Sequence, residues 1–355
     1  NRKKILRIVW SVVLVLLLVV AIMGVLIYKK IYTPNIFTSK QSTQFLYIPT
    51  GTDFEGLIKI MEKNNLLLDE ASFRWTAHQM KYDTKVKPGK YKLGQKMSNK
   101  DLITLLRSGK QTPVNVIFNN IRTKEQLAQR VSEQIEASQQ SILNLLNDFD
   151  YTKKLGFTSD NILSMFLPNT YEFYWNTSAD KFIQRMKKEH SKFWTADRLL
   201  KAKKIDLSPV QVSVIASIVQ MESNKEDEKP TIAGVYINRY KKDWKLEADP
   251  TLVYALGDFT VNRVLSVYKE IESPYNTYKY KDVASNNFLQ TNRVLTISSI
   301  FVFVVVIRIR AQASLTAVRC FSFKNLRTKL LVFCPVPDFF RCLFVQVADG
   351  LVLQI

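Results

Sequence analysis

A single acidic residue, Glu222, continues a row of aliphatic side chains at helical spacing. Counting by four from Val210 gives Val214, Ile218 and then Glu222, which places all four on one face of an α-helix. Burial and the negative end of the helix dipole both disfavour a charged carboxyl group. The pattern therefore predicts a buried, protonated carboxyl group that could protonate a glycosidic oxygen. The alternative is a core glutamate paired with Arg239 or with a lysine.

The helix that carries Glu222 has a well-marked start. The tetrapeptide SPVQ at residues 208–211 supplies an N-cap serine, a proline at the first helical position and a glutamine at the third. A glycoside hydrolase would ordinarily need a second carboxylate near the first. Asp249 is the candidate, although an aspartate before Pro250 can also order a turn or bind a sugar hydroxyl.

An uncharged, apolar stretch over residues 8–27 has the length of a transmembrane helix. A cleavable secretory signal is the alternative, but its apolar part is usually shorter and ends in a small-x-small site. We therefore expect a cytoplasmic stub and a single membrane anchor over residues 1–30. Four basic residues precede the stretch and two follow it, so the positive-inside rule favours a cytoplasmic N-terminus only weakly.

Two soluble domains are predicted after the anchor. A polar segment, 31–44, is interpreted as a linker. Residues 45–118 show the order strand, helix, helix, strand, helix, which resembles a LysM-like module that binds N-acetylglucosamine-containing glycans; a spacer is the alternative. A second, mostly helical domain with short strands is predicted over residues 119–281. Its first helix opens near Thr123. The predicted fold class is α+β.

The formal net charge of +20 suits an anionic partner such as lipid head groups or an acidic wall polymer. Nucleic acid is not predicted, because the basic residues are scattered and follow no known nucleic-acid-binding pattern. All three cysteines, Cys320, Cys334 and Cys342, lie near the end of the chain. Their spacing predicts neither a metal site nor a disulfide framework.

Five sequence blocks together resemble one family, the endolytic murein transglycosylases, also called YceG-like proteins. The blocks are FLPNTYEFYWNTS (166–178), IASIVQMESNK (215–225), EKPTIAGVYINR (228–239), LEADPTLVYALGD (246–258) and SPYNTYKY (273–280). The resemblance extends over residues 1–281. It implies cleavage of the bond between N-acetylmuramic acid and N-acetylglucosamine in nascent peptidoglycan strands, with formation of 1,6-anhydro ends and without a metal or other cofactor.

The resemblance also assigns residue roles. The catalytic acid and base of the family is the second acidic position of a Glu-x-Glu pair, which falls on Glu222. The first position is Gln220 here, and we expect it to tune the site. Positions that match polar, substrate-binding residues of the family are Asn238, Arg239, Asp249, Thr251, Tyr254, Asn276 and Tyr278. Amides and hydroxyls bind sugar hydroxyls, and tyrosine rings cover apolar sugar faces; Asn238 and Arg239 could instead hold helices together.

The family likeness further implies a place in the cell and a set of partners. The catalytic domain is expected outside the cytoplasmic membrane, with glycan strands as substrate and peptidoglycan synthases as partners. Two alternatives stay open: a glycan-binding scaffold that has lost activity, and a muramidase that uses Glu222 with Asp249.

The last part of the chain departs from the family pattern. Residues 282–355 contain no Glu, Tyr, Trp or His, one glycine, and every cysteine of the protein. The Gly-Leu-Pro-Pro-Gly and Gly-x-His-x-Phe segments that the family should show here are absent from the sequence. We interpret this segment as an atypical tail produced by a shifted reading frame or a chimeric join.

Overall fold

A computed structural model describes residues 2–37, 44–119, 121–261 and 263–281. These residues form a helix-rich α+β structure with a few short strands, which confirms the predicted fold class at this level. The helices are α1 (Arg2–Tyr32), α2 (Phe54–Lys63), α3 (Glu70–Gln79), α4 (Asn99–Ser108), α5 (Lys124–Ser132), α6 (Gln139–Asn147), α7 (Phe149–Lys154), α8 (Ala179–Phe193), α9 (Ala196–Lys204), α10 (Pro209–Glu222), α11 (Lys229–Lys241) and α12 (Asp249–Leu256). The strands are β1 (Gln44–Ile48), β2 (Gly89–Leu93), β3 (Val114–Phe118) and β4 (Asn169–Phe173). The predicted tail over 282–355 lies outside the described residues.

Helix α1 contains the apolar segment Val9–Tyr32, which is long and apolar enough to cross a membrane. None of this segment is buried against the rest of the described chain. An apolar helix that finds no protein core is stable only where lipid or another apolar surface covers it.

The N-terminal domain follows the predicted order of strand, helix, helix, strand and helix. Strands β1 and β2 pair antiparallel, with Gln44 opposite Leu93 and Ile48 opposite Gly89. Helices α2, α3 and α4 pack around this pair and form one apolar core. The last helix of the domain, α4, begins at a reciprocal capping box formed by Ser98 and Asp101.

The predicted linker over residues 31–44 is wrong at its start. Helix α1 continues to Tyr32, and Pro34 and Ile36 form β-bridges with Ser98 and Leu67 of the N-terminal domain. The polar composition of this segment favoured a linker, but Asn35 and Ile36 donate backbone hydrogen bonds to Met97, and the Asn35 side chain binds Asn99. Residues 38–43 lie outside the described part of the chain.

Strand β3 belongs with the second domain, although the sequence placed it in the first. It pairs antiparallel with β4, so that Val114 lies opposite Phe173 and Phe118 opposite Asn169. Helices α5 to α8 pack on this strand pair in a second apolar core. The first domain therefore ends between α4 and β3. This boundary depends on the pairing of β3 with β4, whose opposed residues are more than 50 positions apart in the sequence.

Helix α10 is the central element of a third apolar core. Residues from Val212 to Val219 are all buried, and α9, α11 and α12 contact the helix. Its predicted start is confirmed: Ser208 and Gln211 form a reciprocal capping box, with proline in the first turn. This fixed start and the buried body determine where the last turn, and Glu222, emerge.

Candidate functional site

Glu222 is exposed, so the prediction that it is buried is wrong. Val214, Ile218 and Val219 are fully or almost fully buried, but the final residues of α10 extend beyond the core and Met221 is also exposed. Helical periodicity predicts the direction of a side chain, whereas burial also needs neighbouring elements that reach the end of the helix. Glu222 instead lies at an open surface.

The partner of Glu222 is Tyr236 of α11. The Tyr236 hydroxyl donates a hydrogen bond of 2.7 Å to Oε1 of Glu222. Tyr236 itself is buried, and burial, followed by the hydrogen bond to Glu222, raises the pKa of its hydroxyl well above the usual range. The hydroxyl therefore stays protonated and remains a donor at neutral pH. The alternative of a core glutamate paired with Arg239 is excluded, because Glu222 is exposed and binds a tyrosine.

Asp249 and Tyr278 form a second hydrogen-bonded pair beside Glu222. The Tyr278 hydroxyl donates to Oδ1 of Asp249 over 2.5 Å. Burial and the bond to Asp249 raise the pKa of Tyr278, and the charges of Glu247 and Glu222 raise it further. Tyr278 therefore lies within electrostatic reach of both Asp249 and Glu222. The structure thus brings both predicted carboxylates into the neighbourhood of one tyrosine.

Arg239 continues this surface on α11. Its guanidinium donates to the backbone carbonyl of Leu246 and lies 3.6 Å from the carboxylate of Glu247. The neighbouring Asn238 is exposed. A cavity of about 430 Å³ opens beside Arg239 and has Trp244 and Glu247 in its wall. Arg239 thus joins α11 to the loop that precedes α12 and also faces open space.

Thr251 and Asn276 do not line the surface as predicted. Both are fully buried. The Thr251 hydroxyl donates to the carbonyl of Ala248 over 2.7 Å and contacts the Thr277 hydroxyl at 2.8 Å. The Asn276 amide donates to the carbonyls of Lys269 and Ile271, while its oxygen accepts from the amide of Tyr278. Their polar groups stabilise the loop that holds Tyr278, because buried polar atoms need partners.

Tyr254 is half-buried and packs edge-on against Tyr275, with ring centroids 4.8 Å apart. Burial, with a smaller contribution from Tyr275, raises the pKa of its hydroxyl. The ring supports the apolar core around α10.

Gln220 binds a buried lysine. The Lys229 side chain is fully buried, and its ammonium group donates to Oε1 of Gln220 over 3.0 Å and to Oε1 of Glu226 over 2.6 Å. A buried ammonium is stable only when it is paired. This cluster joins the end of α10 to the start of α11 and so fixes the turn that follows Glu222.

Sequence reasoning missed Tyr236 and Lys229. Tyr236 follows Ala233 by three positions and precedes Ile237, so helical spacing could have placed it on the buried face of α11. No comparable signal marks Lys229, which lies between Glu228 and Pro230 in what the sequence suggests is a solvated loop. Across the ranges that the structure covers, no group of three or more His, Cys, Asp or Glu side chains could hold a metal ion.

The arrangement is suited to proton transfer at an open surface. The described residues give Oε1 of Glu222 a donor in Tyr236 and place no hydrogen bond on Oε2. The hydrogen bond thus holds one carboxylate oxygen in position, while the side chain as a whole is exposed to solvent. A carboxyl group held in this way can give a proton to an oxygen atom of a ligand and take one back.

Comparison with known proteins gives the family of this chain. The model of the YceG-like family matches residues 46–286. An endolytic murein transglycosylase of Bacillus subtilis is 28% identical over 272 residues, which cover 72% of this chain and 75% of the relative. One from Streptococcus pneumoniae serotype 2 is 25% identical over 266 residues. That match covers 65% of this chain and 47% of the relative, so the chain spans about half of the pneumococcal protein's length.

A crystal structure of a yceG-like protein from Listeria monocytogenes shares 22% identity and a TM-score of 0.49, with 74% of this chain and 90% of that chain covered. Since the family model matches well over half of the sequence, the chain belongs to the YceG-like family.

Proposed function

We propose that this protein is a membrane-anchored endolytic lytic transglycosylase of peptidoglycan, with Glu222 as its catalytic acid and base. Family membership supports this proposal, as do the relatives named endolytic murein transglycosylase. The observation that carries it is the exposed Glu222 carboxyl group, whose Oε1 accepts a hydrogen bond from the buried Tyr236. The proposed substrates are nascent glycan strands, and peptidoglycan synthases are the proposed protein partners.

The reaction needs one carboxyl group that acts twice. Protonated Glu222 donates its proton to the oxygen that links N-acetylmuramic acid to N-acetylglucosamine, and the bond from the muramic C1 to that oxygen breaks. The C6 hydroxyl of the same muramic acid attacks C1, and its proton passes to the Glu222 carboxylate. The strand then ends in a 1,6-anhydro ring, and the carboxyl group is protonated again. Water takes no part, so no second carboxylate is needed to activate it.

The bound strand completes the site. Glu222 is exposed in the free protein, and an acid that protonates a weakly basic oxygen works best away from water. We propose that the glycan covers Oε2 when it binds, with Tyr278 and Tyr254 against sugar rings and with Asn238 and Arg239 bonded to sugar hydroxyls. Asp249 orients Tyr278 through their hydrogen bond. Thr251 and Asn276 act indirectly, through the loop that they stabilise.

Two features outside the site fit this proposal. The LysM-like assignment of the N-terminal domain would give the enzyme a second contact with glycan. Helix α1 is proposed to anchor the chain in the cytoplasmic membrane, with its N-terminus in the cytoplasm and the remaining domains outside. This arrangement would place the catalytic domain next to strands as they leave the membrane.

Product analysis tests the proposal directly. The full chain is incubated with uncrosslinked glycan strands, and the new ends are identified by mass spectrometry. Anhydro ends support a lytic transglycosylase. Reducing ends would instead support a muramidase that uses Glu222 and Asp249, which both raise the pKa of Tyr278. Strands that are bound but left intact would support the scaffold alternative and contradict the proposal.

A further inference from the structure

The junction of α1 with the N-terminal domain forms a cavity of about 570 Å³. Met23 of α1, with Leu68 and Trp75 of the domain, contributes apolar surface to it, and Lys29 and Lys30 contribute positive charge. Met23 and Leu68 are more than half exposed. The Lys30 ammonium lies 5.5 Å from the centre of the Trp75 ring. The cavity therefore has an apolar side that continues from α1 and a basic rim.

The residues of α1 that line the cavity define its depth relative to a bilayer. The apolar segment Val9–Tyr32 has 24 residues, about 36 Å of helix, against a hydrocarbon core of roughly 30 Å. Lys29 and Lys30 lie near its C-terminal end, where basic and aromatic side chains meet lipid head groups. Met23 lies nearly two turns further toward the apolar centre. The cavity would therefore extend from head-group level into the hydrocarbon.

A buried polar network holds the two walls of the cavity together. The side-chain amide of Asn99 donates to the carbonyl of Lys30 over 2.8 Å and to the Ser72 hydroxyl over 3.0 Å. Asn35 donates to Asn99 over 2.7 Å and accepts from the amide of Asp69 over 2.7 Å. Asn35, Ser72 and Asn99 are buried. Because the end of α1 is bonded to the domain in this way, the cavity does not depend on a flexible linker.

We propose that this cavity binds one anionic phospholipid of the leaflet from which the C-terminal end of α1 emerges. Its phosphate lies beside Lys29 and Lys30, and an acyl chain lies along Met23 and Leu68. Asp69 also lines the cavity, but its carboxylate accepts a hydrogen bond from the amide of Ser72 at the start of α3, and the two lysines outnumber it. This inference rests on the proposed membrane anchor and is independent of the chemistry at Glu222.

Photo-crosslinking in bilayers tests this site. The full chain is reconstituted in nanodiscs of phosphatidylcholine that carry either a diazirine-labelled phosphatidylglycerol or a diazirine-labelled phosphatidylcholine, and labelled peptides are mapped by mass spectrometry. Peptides from residues 9–27 report insertion of α1 with both lipids. We expect peptides from residues 66–80 to be labelled as well, and more strongly by the anionic lipid.

Charge variants make the test specific. Replacing Lys29 and Lys30 by Gln should reduce the preference for phosphatidylglycerol in residues 66–80 by about fivefold for each lysine, the factor for one basic residue near an anionic surface. Replacing the exposed Lys59 and Lys63 of α2 by Gln should leave the preference for phosphatidylglycerol unchanged. Labelling of residues 9–27 without labelling of 66–80, or equal labelling by the two lipids, would overturn the inference and leave the anchor intact. No labelling at 9–27 would contradict the anchor and, with it, this site.

Discussion

The Tyr236 hydroxyl and the Glu222 carboxylate are joined by a 2.7 Å hydrogen bond that links α11 to the end of α10. The bond holds an exposed carboxylate in one orientation, because Tyr236 is itself buried and immobilised by its packing. In the proposed mechanism the neighbouring helix therefore positions the acid, and the bound glycan strand excludes water from it. This relationship gives the first prediction.

Replacing Tyr236 by Phe should lower the rate of glycan cleavage about tenfold, which corresponds to roughly 1.4 kcal/mol of lost transition-state stabilisation. The loss should appear in kcat, since the bond orients the reacting group, with little change in KM. Tyr151→Phe is the matched control, because Tyr151 donates to Asp180 over the same 2.7 Å on another part of the domain. Equal losses in both variants would show that a general loss of stability, and not the orientation of Glu222, was responsible.

The buried Lys229 predicts that Gln220→Glu is stabilising. A carboxylate at position 220 would lie about where the amide oxygen now accepts from Lys229 over 3.0 Å. The present bond already has a charged donor, and a carboxylate would add the attraction between two opposite charges, which is stronger around a buried ammonium than at an exposed surface. The melting temperature should therefore rise, while cleavage of glycan strands is retained.

A double-mutant cycle checks the cause. In a Lys229→Met background, Gln220→Glu should lower the melting temperature, because the new carboxylate would have lost its buried partner. If the change at position 220 has the same sign in both backgrounds, Lys229 is not the source of the effect.

Asp249 and Tyr278 should affect substrate binding more than the chemical step. Tyr278→Phe removes the hydroxyl that donates to Asp249 and should raise KM several-fold, while the products keep their anhydro ends. Tyr280→Phe is the control, since the Tyr280 hydroxyl donates to the exposed Glu272 over 2.8 Å outside this surface. Asp249→Asn should behave like Tyr278→Phe. A complete loss of cleavage in Asp249→Asn would favour the two-carboxylate muramidase.

His190 should make the protein less stable in acid. Burial in α8, with a smaller contribution from Lys187, lowers the pKa of His190 to about 4, whereas the unfolded chain has a value near 6.5. As the pH falls below about 6.5 the unfolded state takes up this proton first, so stability declines and about 3 kcal/mol is lost by pH 4. Thermal unfolding at pH 7 and pH 5 measures this effect.

The only other histidine is His78, which is exposed beside Asp83. His190→Leu should reduce the difference in melting temperature between the two pH values, and His78→Gln should leave it nearly unchanged. If His190→Leu kept the same difference in melting temperature as the wild type, His190 would not be the cause of the acid sensitivity.

Local signals in the sequence were sufficient to predict much of the fold. The cap of α10 at Ser208 is encoded within four residues, and the order of elements in the N-terminal domain follows from periodicity and turn residues. The pairing of β3 with β4 was missed because the partner of Val114 is Phe173, far along the chain. Propensity within a strand does not identify a distant partner.

For the candidate site, the sequence predicted which residues lie near one another better than it predicted their burial. Asp249 and Tyr278 lie together, and Glu222 lies within electrostatic reach of Tyr278. Burial was assigned wrongly in both directions, since Glu222 is exposed while Thr251 and Asn276 are buried. Exposure at a helix end or in a loop depends on how far neighbouring elements extend, which no single segment of sequence contains.

The most direct test of the central claim is the rate at which anhydro ends form when the full chain and its Glu222→Gln variant act on uncrosslinked glycan strands. Glu228→Gln is the control, because Glu228 is an exposed carboxylate in the loop that follows Glu222. The account predicts that Glu222→Gln forms no anhydro ends while Glu228→Gln acts nearly as fast as the wild type. Anhydro ends formed by Glu222→Gln at the wild-type rate would contradict it.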